Sequence, residues 1–240
     1  MTHTYSKLTP SVVLGVAAHA DDLDYYAGGT MATFAGQGAK VYYLILTDSG
    51  KGSSDRSMTP ENLRDIRREE QRHAAKLLGV TDVFFCDYPD GMLENTTAVK
   101  QDIVRIIRQV KPDVVVTLDP TVLYIPEQGL INHPDHRAAG QATLDATYPL
   151  ARDHMTFPEL LKDGYEPHNT PTVLLTSFDS DRANFAVDIS DTIDQKFGAL
   201  GAHTSQLSVQ DMKQTLRADA SKAAAKYGCA YAESFIRIDV

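Results

Sequence analysis

Histidine and aspartate side chains cluster at two points of the sequence. The first cluster reads His19-Ala20-Asp21-Asp22, and the second reads Asn132-His133-Pro134-Asp135-His136-Arg137. Imidazole nitrogen and carboxylate oxygen both bind zinc well. Two histidines and one carboxylate supply three protein ligands and leave the fourth position for water. That is the composition of a catalytic zinc site rather than of a closed structural one.

Each cluster follows a predicted buried strand and precedes a helical pattern. Residues 12–18 form an apolar run rich in β-branched side chains, and a helical pattern begins at Asp22. Residues 114–118 form a similar run that leads into the loop of the second cluster. Because ligands of open α/β sheets bind at the carboxyl ends of the strands, both clusters are predicted to lie where ligands bind.

The paired aspartates also have a simpler interpretation. Asp21 and Asp22 stand at the start of a predicted helix, where aspartate is common because its carboxylate accepts a free backbone N–H. Taken alone, the first cluster supports helix capping and metal binding equally. The second cluster repeats the combination of strand end, histidine and aspartate, and it therefore favours the metal interpretation.

The two motifs together resemble the LmbE-like family of zinc-dependent N-deacetylases. That family includes N-acetylglucosaminyl-phosphatidylinositol de-N-acetylase (PIG-L) and the deacetylases of mycothiol and bacillithiol synthesis. Its first motif usually reads A-H-P-D-D-x-E, whereas this chain has alanine at residue 20 and aspartate at residue 24. Further similar stretches occur in the same order along the chain: Gly28-Gly29-Thr30, Thr47-Asp48, Arg67-x-x-Glu70, Leu78-Gly79-Val80, Pro89-Asp90-Gly91, Lys196 with His203-x-Ser205-Gln206, and Tyr231-Ala232-Glu233-Ser234-Phe235.

The resemblance implies hydrolysis of the acetamide of an N-acetylglucosamine-type sugar or glycoconjugate. By this similarity His19, Asp22 and His136 would hold Zn²⁺, which Co²⁺, Mn²⁺ or Fe²⁺ could replace. Asp21 would be the general base that takes a proton from water. His133, when protonated, would stabilise the oxyanion of the tetrahedral intermediate.

Substrate contacts are expected from two further positions. The family resemblance places Arg67 near the substrate, although its spacing in a charged run is more typical of a solvated helix face. Asp90 would contact sugar hydroxyls or simply stabilise its Pro-Asp-Gly turn. The polar residues 49–59 would form a mobile lid or a plain surface loop. His203 lies in a predicted loop and has no role that its local sequence indicates.

Three other functions fit parts of the pattern. A zinc amidase acting on a thiol conjugate would use the same ligands with a different pocket. A nucleotide-binding module would share the Rossmann-like layout, but no strand is followed by the G-x-G-x-x-G fingerprint. A metal-binding scaffold without catalysis is the third, and the presence of Asp21 beside the predicted ligands argues against it.

Strand and helix patterns alternate four times before about residue 150. This alternation predicts an α/β fold, a Rossmann-like three-layer sandwich with a mostly parallel sheet. Beyond that point the alternation breaks down, and strands over 173–176 and 185–189 with helices over 191–202 and 210–226 predict a smaller C-terminal strand/helix portion. We expect residues 1–240 to form a single domain. Family members are often trimers or hexamers, so a homo-oligomer is possible.

The composition restricts the class of partner. The formal net charge of −9 argues against nucleic acid or anionic lipid, since either favours a basic surface. A small amino-sugar substrate is compatible with this charge. The N-terminus lacks the pattern of a signal peptide, and no apolar run is long enough to span a membrane. Cys86 and Cys229 are expected to be free thiols, so we predict a cytoplasmic protein without membrane insertion.

Overall fold

The computed structural model describes residues 8–125, 129–176, 182–206 and 209–240, and up to residue 118 its strands and helices alternate in the order that the sequence predicts. The strands are β1 (Val12–Ala17), β2 (Lys40–Thr47), β3 (Asp82–Tyr88), β4 (Val114–Leu118), β5 (Tyr124–Ile125), β6 (Leu130–Ile131), β7 (Thr172–Thr176), β8 (Phe185–Asp188) and β9 (Ala232–Asp239). The helices are α1 (Asp22–Gly36), α2 (Pro60–Leu78), α3 (Thr97–Val110), α4 (Pro134–Asp145), α5 (Glu159–Lys162), α6 (Ile193–Leu200) and α7 (Val209–Ala224).

Seven of the strands form one sheet in the order β3-β2-β1-β4-β7-β9-β8. The pairs β1–β2, β2–β3, β1–β4 and β4–β7 are parallel, and β9 runs antiparallel to both of its neighbours. The predicted α/β class with a mostly parallel sheet is therefore confirmed. The strands of the C-terminal portion extend this same sheet, and β5 pairs with β6 in a separate hairpin.

Helices cover the sheet in two groups. The helices α1, α2 and α6 pack against one another, and α3 packs against α4. The strand order reverses between β1 and β4, and right-handed crossovers on either side of such a reversal place their helices on opposite faces of the sheet. The central strands are accordingly covered on both sides, and all five residues of β4 are buried. None of the described helices has the length and apolar character needed to cross a membrane.

The two chemical clusters meet at the reversal point of the sheet. β1 leads into the first cluster and β4 leads into the loop of the second, and these strands are adjacent and parallel. Their carboxyl ends therefore lie side by side. Chains that diverge from such a point leave a crevice between them, which is where open α/β sheets bind ligands.

Local sequence signals explain the ends of two helices. Thr59 accepts the backbone N–H of Asn62 through its side chain, and Pro60 follows as the first residue of α2. Gly79 ends α2 in the left-handed conformation with φ 77°. At α3, the side chain of Thr96 caps the N–H of Val99 in the same way. The apolar periodicity predicts these two helices over 61–78 and 99–110, which agrees with the structure to within two residues.

Gly140 sets how closely α4 approaches the sheet. A Cβ built on this residue would lie 2.1 Å from the carbonyl oxygen of Leu118 and 3.1 Å from a side-chain carbon of Pro120. A side chain cannot occupy that space, so any other residue would push α4 away from the end of β4. Since α4 carries His136 in its first turn, this contact fixes the height of the second cluster above the sheet.

Replacing Gly140 with alanine should destabilise the protein. We expect Gly140→Ala to lower the free energy of unfolding by about 1–3 kcal/mol, the usual cost of overpacking a close contact. The matched control is Gly198→Ala in α6, where an added Cβ meets nothing within 4 Å. That change should be neutral or stabilise by up to about 1 kcal/mol. Urea denaturation of both variants measures the difference, and equal stabilities would refute the close-approach argument.

Candidate metal centre

A strained turn after β1 brings His19 and Asp22 together. Asp21 lies at the N-cap of α1 with φ 98° and ψ −30°, a conformation that non-glycine residues rarely adopt. The backbone N–H of His19 donates to Asp22 Oδ2 at 2.8 Å, and His19 Nδ1 lies 3.6 Å from the same oxygen. Asp21 makes no side-chain cap to α1. The capping interpretation is therefore wrong for Asp21.

The segment between β4 and α4, which includes the β5–β6 hairpin, delivers the second cluster to the same place. Pro134 begins α4, and His133 is its N-cap, with Nδ1 accepting the backbone N–H of Asp135 at 3.2 Å. One turn into the helix, His136 Nε2 lies 3.0 Å from Asp22 Oδ1. Asp22 thus stands between the imidazoles of His19 and His136, so the three predicted ligands converge although 117 positions separate the first from the last.

The far side of the His19 ring faces two buried carboxylates. His19 Nε2 is 3.2 Å from Asp135 Oδ2 and 3.2 Å from Asp90 Oδ1. Asp135 is fully buried and also accepts the backbone N–H groups of Gly91 and Leu93, at 2.6 and 3.1 Å. With Nε2 as the donor to carboxylates, Nδ1 is the ring atom left to bind a metal. Such carboxylate–histidine contacts commonly orient zinc-binding imidazoles.

Two groups of side chains bring three donor atoms close together among the described residues, and neither of them contains Asp22. Donor atoms of His19, His133 and His136 lie within 4.8 Å of one another, and so do those of His19, Asp90 and Asp135. His133 Nδ1, however, is engaged as a helix cap. Both carboxylates of the second group already accept backbone N–H bonds, Asp90 from Lys51 at 3.0 Å. In the described part of the chain, the donor atoms of His19, Asp22 and His136 make one hydrogen bond to the backbone, from the N–H of His19 to Asp22 Oδ2.

The electrostatics of the crevice suit a cation. Burial opposes protonation of His19, yet hydrogen bonds to Asp135, Asp22 and Asp90 raise its pKa to about 12. Burial likewise opposes ionisation of Asp22, but His136 and His19 hold its pKa well below the usual range. His136 Nδ1 is buried without a hydrogen-bond partner among the described residues. Two imidazoles beside ionised carboxylates are a donor set that fits Zn²⁺.

Asp21 and His133 are the other two residues of the predicted chemistry, and their pKa values are shifted in opposite directions. Burial and the negative charge of Asp22 raise the pKa of Asp21 to about 7, a value suited to moving protons near neutral pH. Burial and the neighbouring His19 lower the pKa of His133. Because His133 Nδ1 accepts a backbone N–H, the hydrogen bond assigns the proton of the neutral ring to Nε2. The donor available to an oxyanion in this arrangement is thus a neutral N–H rather than an imidazolium.

Arg67 and Asp90 both hold the start of the segment 49–59. Arg67 is buried, and its Nη1 donates to the carbonyl oxygens of Ser49 and Lys51 at 2.6 and 2.7 Å. The same nitrogen is 4.0 Å from Asp90 Oδ2. The expectation of a solvated face is therefore wrong for Arg67. The substrate contacts predicted for Arg67 and Asp90 stay predictions, and so does the lid, since these hydrogen bonds hold only the start of the segment.

Sequence reasoning missed two buried residues of this centre. Asp135 lies inside the second motif but received no role, although the need for a carboxylate behind a metal-binding histidine could have suggested one. His203, predicted as an ordinary loop residue, is fully buried with Nε2 2.8 Å from Asp24 Oδ2. Nothing in the local sequence around His203 signals this pairing, because the partners are 179 positions apart.

Known proteins share both the sequence pattern and the fold. Residues 14–147 match the family described as GlcNAc-PI de-N-acetylase, PIG-L. The chain is 33% identical to diacetylchitobiose deacetylase of Thermococcus kodakarensis, over 81% of this chain and 69% of that protein. It is 31% identical to a probable N-acetyl-alpha-D-glucosaminyl L-malate deacetylase 2 of Bacillus cereus, over 81% and 83%. The structure of N,N'-diacetylchitobiose deacetylase from Pyrococcus horikoshii, complexed with its inhibitor MPG, aligns with a TM-score of 0.87 and 29% identity, over 96% of this chain and 84% of that chain.

The donor set can be tested by metal content. Asp22→Ala removes the carboxylate between the two imidazoles, so bound zinc should fall from about one per chain to a small fraction. His133→Ala should keep its zinc, because the helix cap rather than a metal uses the Nδ1 of this ring. Metal analysis of both variants after identical zinc loading and dialysis gives the answer. Loss of zinc from His133→Ala with retention in Asp22→Ala would instead select the three-histidine group.

Proposed function

The chain belongs to the PIG-L family of GlcNAc-PI de-N-acetylases, and on this basis we propose that it hydrolyses the acetamide of an N-acetylglucosamine-type sugar or glycoconjugate. The observation that carries the proposal is the convergence of His19, Asp22 and His136, with Asp21 beside them at a strained turn. We propose Zn²⁺ as the resident ion, which Co²⁺, Mn²⁺ or Fe²⁺ could replace because the donor types alone do not exclude them.

The chain's own side chains divide the work of amide hydrolysis. An ion held by His19, Asp22 and His136 would supply the Lewis acidity that activates water and polarises an amide carbonyl. Asp21 takes the proton from the attacking water and later delivers it to the leaving amine. The Nε2–H of His133 donates to the oxyanion that develops on the carbonyl oxygen. Asp135 and Asp90 keep the His19 ring in its binding orientation.

The nature of the sugar follows from the relatives. One is named for diacetylchitobiose and another for an N-acetylglucosaminyl malate, so both names describe deacetylation of an N-acetylglucosamine unit with a substituent. We propose the same unit for this chain, with Arg67 and Asp90 contacting its hydroxyl groups. The group attached to the sugar would be read by loops beyond these residues.

The zinc amidase acting on a thiol conjugate remains the nearest alternative, since it needs the same donor set. The non-catalytic nucleotide- or metal-binding module is disfavoured, because the relatives are named as enzymes and because Asp21 stands beside the donor set in a conformation that costs free energy to maintain. Substrate comparison separates the amidase from the deacetylase.

Composition, free thiols and sheet topology bear on where the enzyme works and how its chain is organised. Cys86 and Cys229 are both free, which supports the proposed cytoplasmic location. A single domain over residues 1–240 is supported by one sheet that contains strands from both ends of the described chain. The acidic charge of −9 supports a small-molecule substrate without nucleic acid or membrane insertion. A homo-oligomer, either trimer or hexamer, is carried over from the family resemblance.

The direct test is release of acetate. Zinc-loaded protein should deacetylate N-acetylglucosamine, diacetylchitobiose or an N-acetylglucosaminyl malate, and a thiol S-conjugate should be turned over more slowly. Chelation should abolish the activity, and added Zn²⁺ should restore it. Full activity in rigorously metal-free protein would contradict the proposal, and exclusive turnover of the thiol conjugate would establish the amidase alternative.

Asp21→Asn should separate proton transfer from metal binding. Asparagine keeps nearly the shape of aspartate but cannot accept the proton of the attacking water. We expect kcat to fall by roughly 10²–10⁴, the range for losing a general acid–base group, while bound zinc and KM change little. Rate and zinc content are measured on the same preparations, with Asp22→Ala as the variant that should lose both. Near-normal turnover of Asp21→Asn, or loss of its zinc, would remove Asp21 from the role of base.

A further inference from the structure

A row of buried polar side chains lies behind the turn that carries Asp21. Its members come from β2, α1, α2 and the loop after α6, and each is 0% exposed: Tyr43, Asp24, Gln71 and His203. Asp24 is the centre of the row. Its Oδ2 accepts from Gln71 Nε2 at 2.8 Å and from His203 Nε2 at 2.8 Å, and its Oδ1 accepts from the Tyr43 hydroxyl at 3.2 Å.

Gln71 connects this row to the turn. Its Oε1 accepts the backbone N–H of Asp21 at 2.9 Å, while its Nε2 donates to Asp24. The orientation of the amide is determined by these partners, because a backbone N–H can only donate and an ionised carboxylate can only accept. A side chain at this position therefore needs one acceptor and one donor, at the spacing that glutamine provides.

The turn needs such support because its geometry is unfavourable. A non-glycine residue at φ 98° costs free energy, and it persists only where surrounding contacts impose it. The preceding peptide is held as well, since the N–H of Ala20 donates to Ser49 Oγ at 3.0 Å and its carbonyl accepts from Gln206 Nε2 at 2.9 Å. Gln71 provides the hydrogen bond to the N–H of Asp21 itself.

We propose that Gln71 is a positioning residue for the general base. By holding the N–H of Asp21, it fixes the direction in which the Asp21 carboxylate leaves the backbone and hence its place beside the donor set. Asp24 holds the amide group of Gln71 through a hydrogen bond, and His203 holds Asp24 in turn. The inference rests on the proposed function, which assigns the base to Asp21, and it adds residues that do not touch substrate or metal.

A merely structural role for Gln71 would give a different result. Loss of two buried hydrogen bonds would then lower stability, with no specific effect on turnover by the molecules that remain folded and loaded with metal. A positioning role predicts that kcat per bound zinc falls while KM is nearly unchanged, because the base acts in the transition state. The two possibilities therefore separate in the kinetic constants.

The experiment compares three substitutions at residue 71 with one remote control. Gln71→Leu removes donor and acceptor, and Gln71→Asn shortens the amide by one methylene so that it cannot reach both partners. For both, kcat per bound zinc should fall by about 10- to 100-fold, the scale for misplacing a catalytic group by an ångström. Gln71→Glu should turn over faster than either, since a neutral carboxylic acid offers the same acceptor and donor as the amide. KM and zinc content should stay close to wild type in all three.

Thr192→Val is the matched control for loosening of α1. Thr192 Oγ1 bonds to the carbonyl of Gly29 at 2.9 Å and to Thr33 Oγ1 at 3.0 Å, toward the other end of the same helix. This variant should lose stability without losing kcat per bound zinc. Equal kcat losses in Thr192→Val and Gln71→Leu, or wild-type kcat in both Gln71→Leu and Gln71→Asn, would overturn the inference.

Failure of the proposed function would look different. Zinc-loaded wild-type protein would then be inactive on every acetylated sugar, and the kinetic comparison would be replaced by amide hydrogen exchange at Asp21. Under the inference, exchange of this amide is faster in Gln71→Leu and Gln71→Asn than in wild type and Thr192→Val. Unchanged protection of the Asp21 amide in the two residue-71 variants would overturn the positioning role whatever the reaction.

Discussion

The structure depends on buried carboxylates that must stay ionised at the carboxyl end of the sheet. Asp22, Asp90 and Asp135 surround a single imidazole, His19, and all three carboxylates are buried in the crevice. Uncompensated negative charge in such a place is very costly. Backbone N–H groups and histidines offset part of this cost, and a divalent cation would offset much of the rest. The buried negative charge of the site and its affinity for a metal ion therefore have the same physical origin.

The fold brings the groups that offset this charge together by placing two strand ends next to each other. The reversal of strand order between β1 and β4 puts two strand ends side by side, and the segment that leads from each strand into the next α-helix has an unusual local feature. The first turn carries a non-glycine residue at positive φ, and the second begins a helix with histidine as its cap. The glycine at residue 140 lets that helix approach closely enough for its first turn to reach Asp22. The strained turn at Asp21, the helix cap at His133 and the close approach at Gly140 together determine the geometry of the site.

Support for the site comes from a wider shell than the motifs indicate. The segment after β2 is held by Arg67, and the turn after β3 holds Asp135 through the N–H groups of Gly91 and Leu93. The loop after α6 contributes His203 and Gln206. Each of these groups satisfies a buried polar atom near the crevice, so the cost of burial is distributed over several elements. Arg67, Gly91, His203 and Gln206 all lie in stretches outside the two motifs that resemble the deacetylase family.

The sequence by itself determined the α/β class, the parallel strands up to β4 and the two motifs that converge, because hydrophobic periodicity and strand-end chemistry are local properties. It did not predict β9, although Ile236-Arg237-Ile238-Asp239 alternate apolar and polar side chains, and this strand joins the sheet by pairing with β7 and β8. The partners of Asp24, the burial of Arg67 and the contact of Asp135 with His19 were likewise decided by the tertiary structure. These features depend on which side chains become neighbours after distant segments pack, and a buried polar group is identified by its partner rather than by its own local sequence.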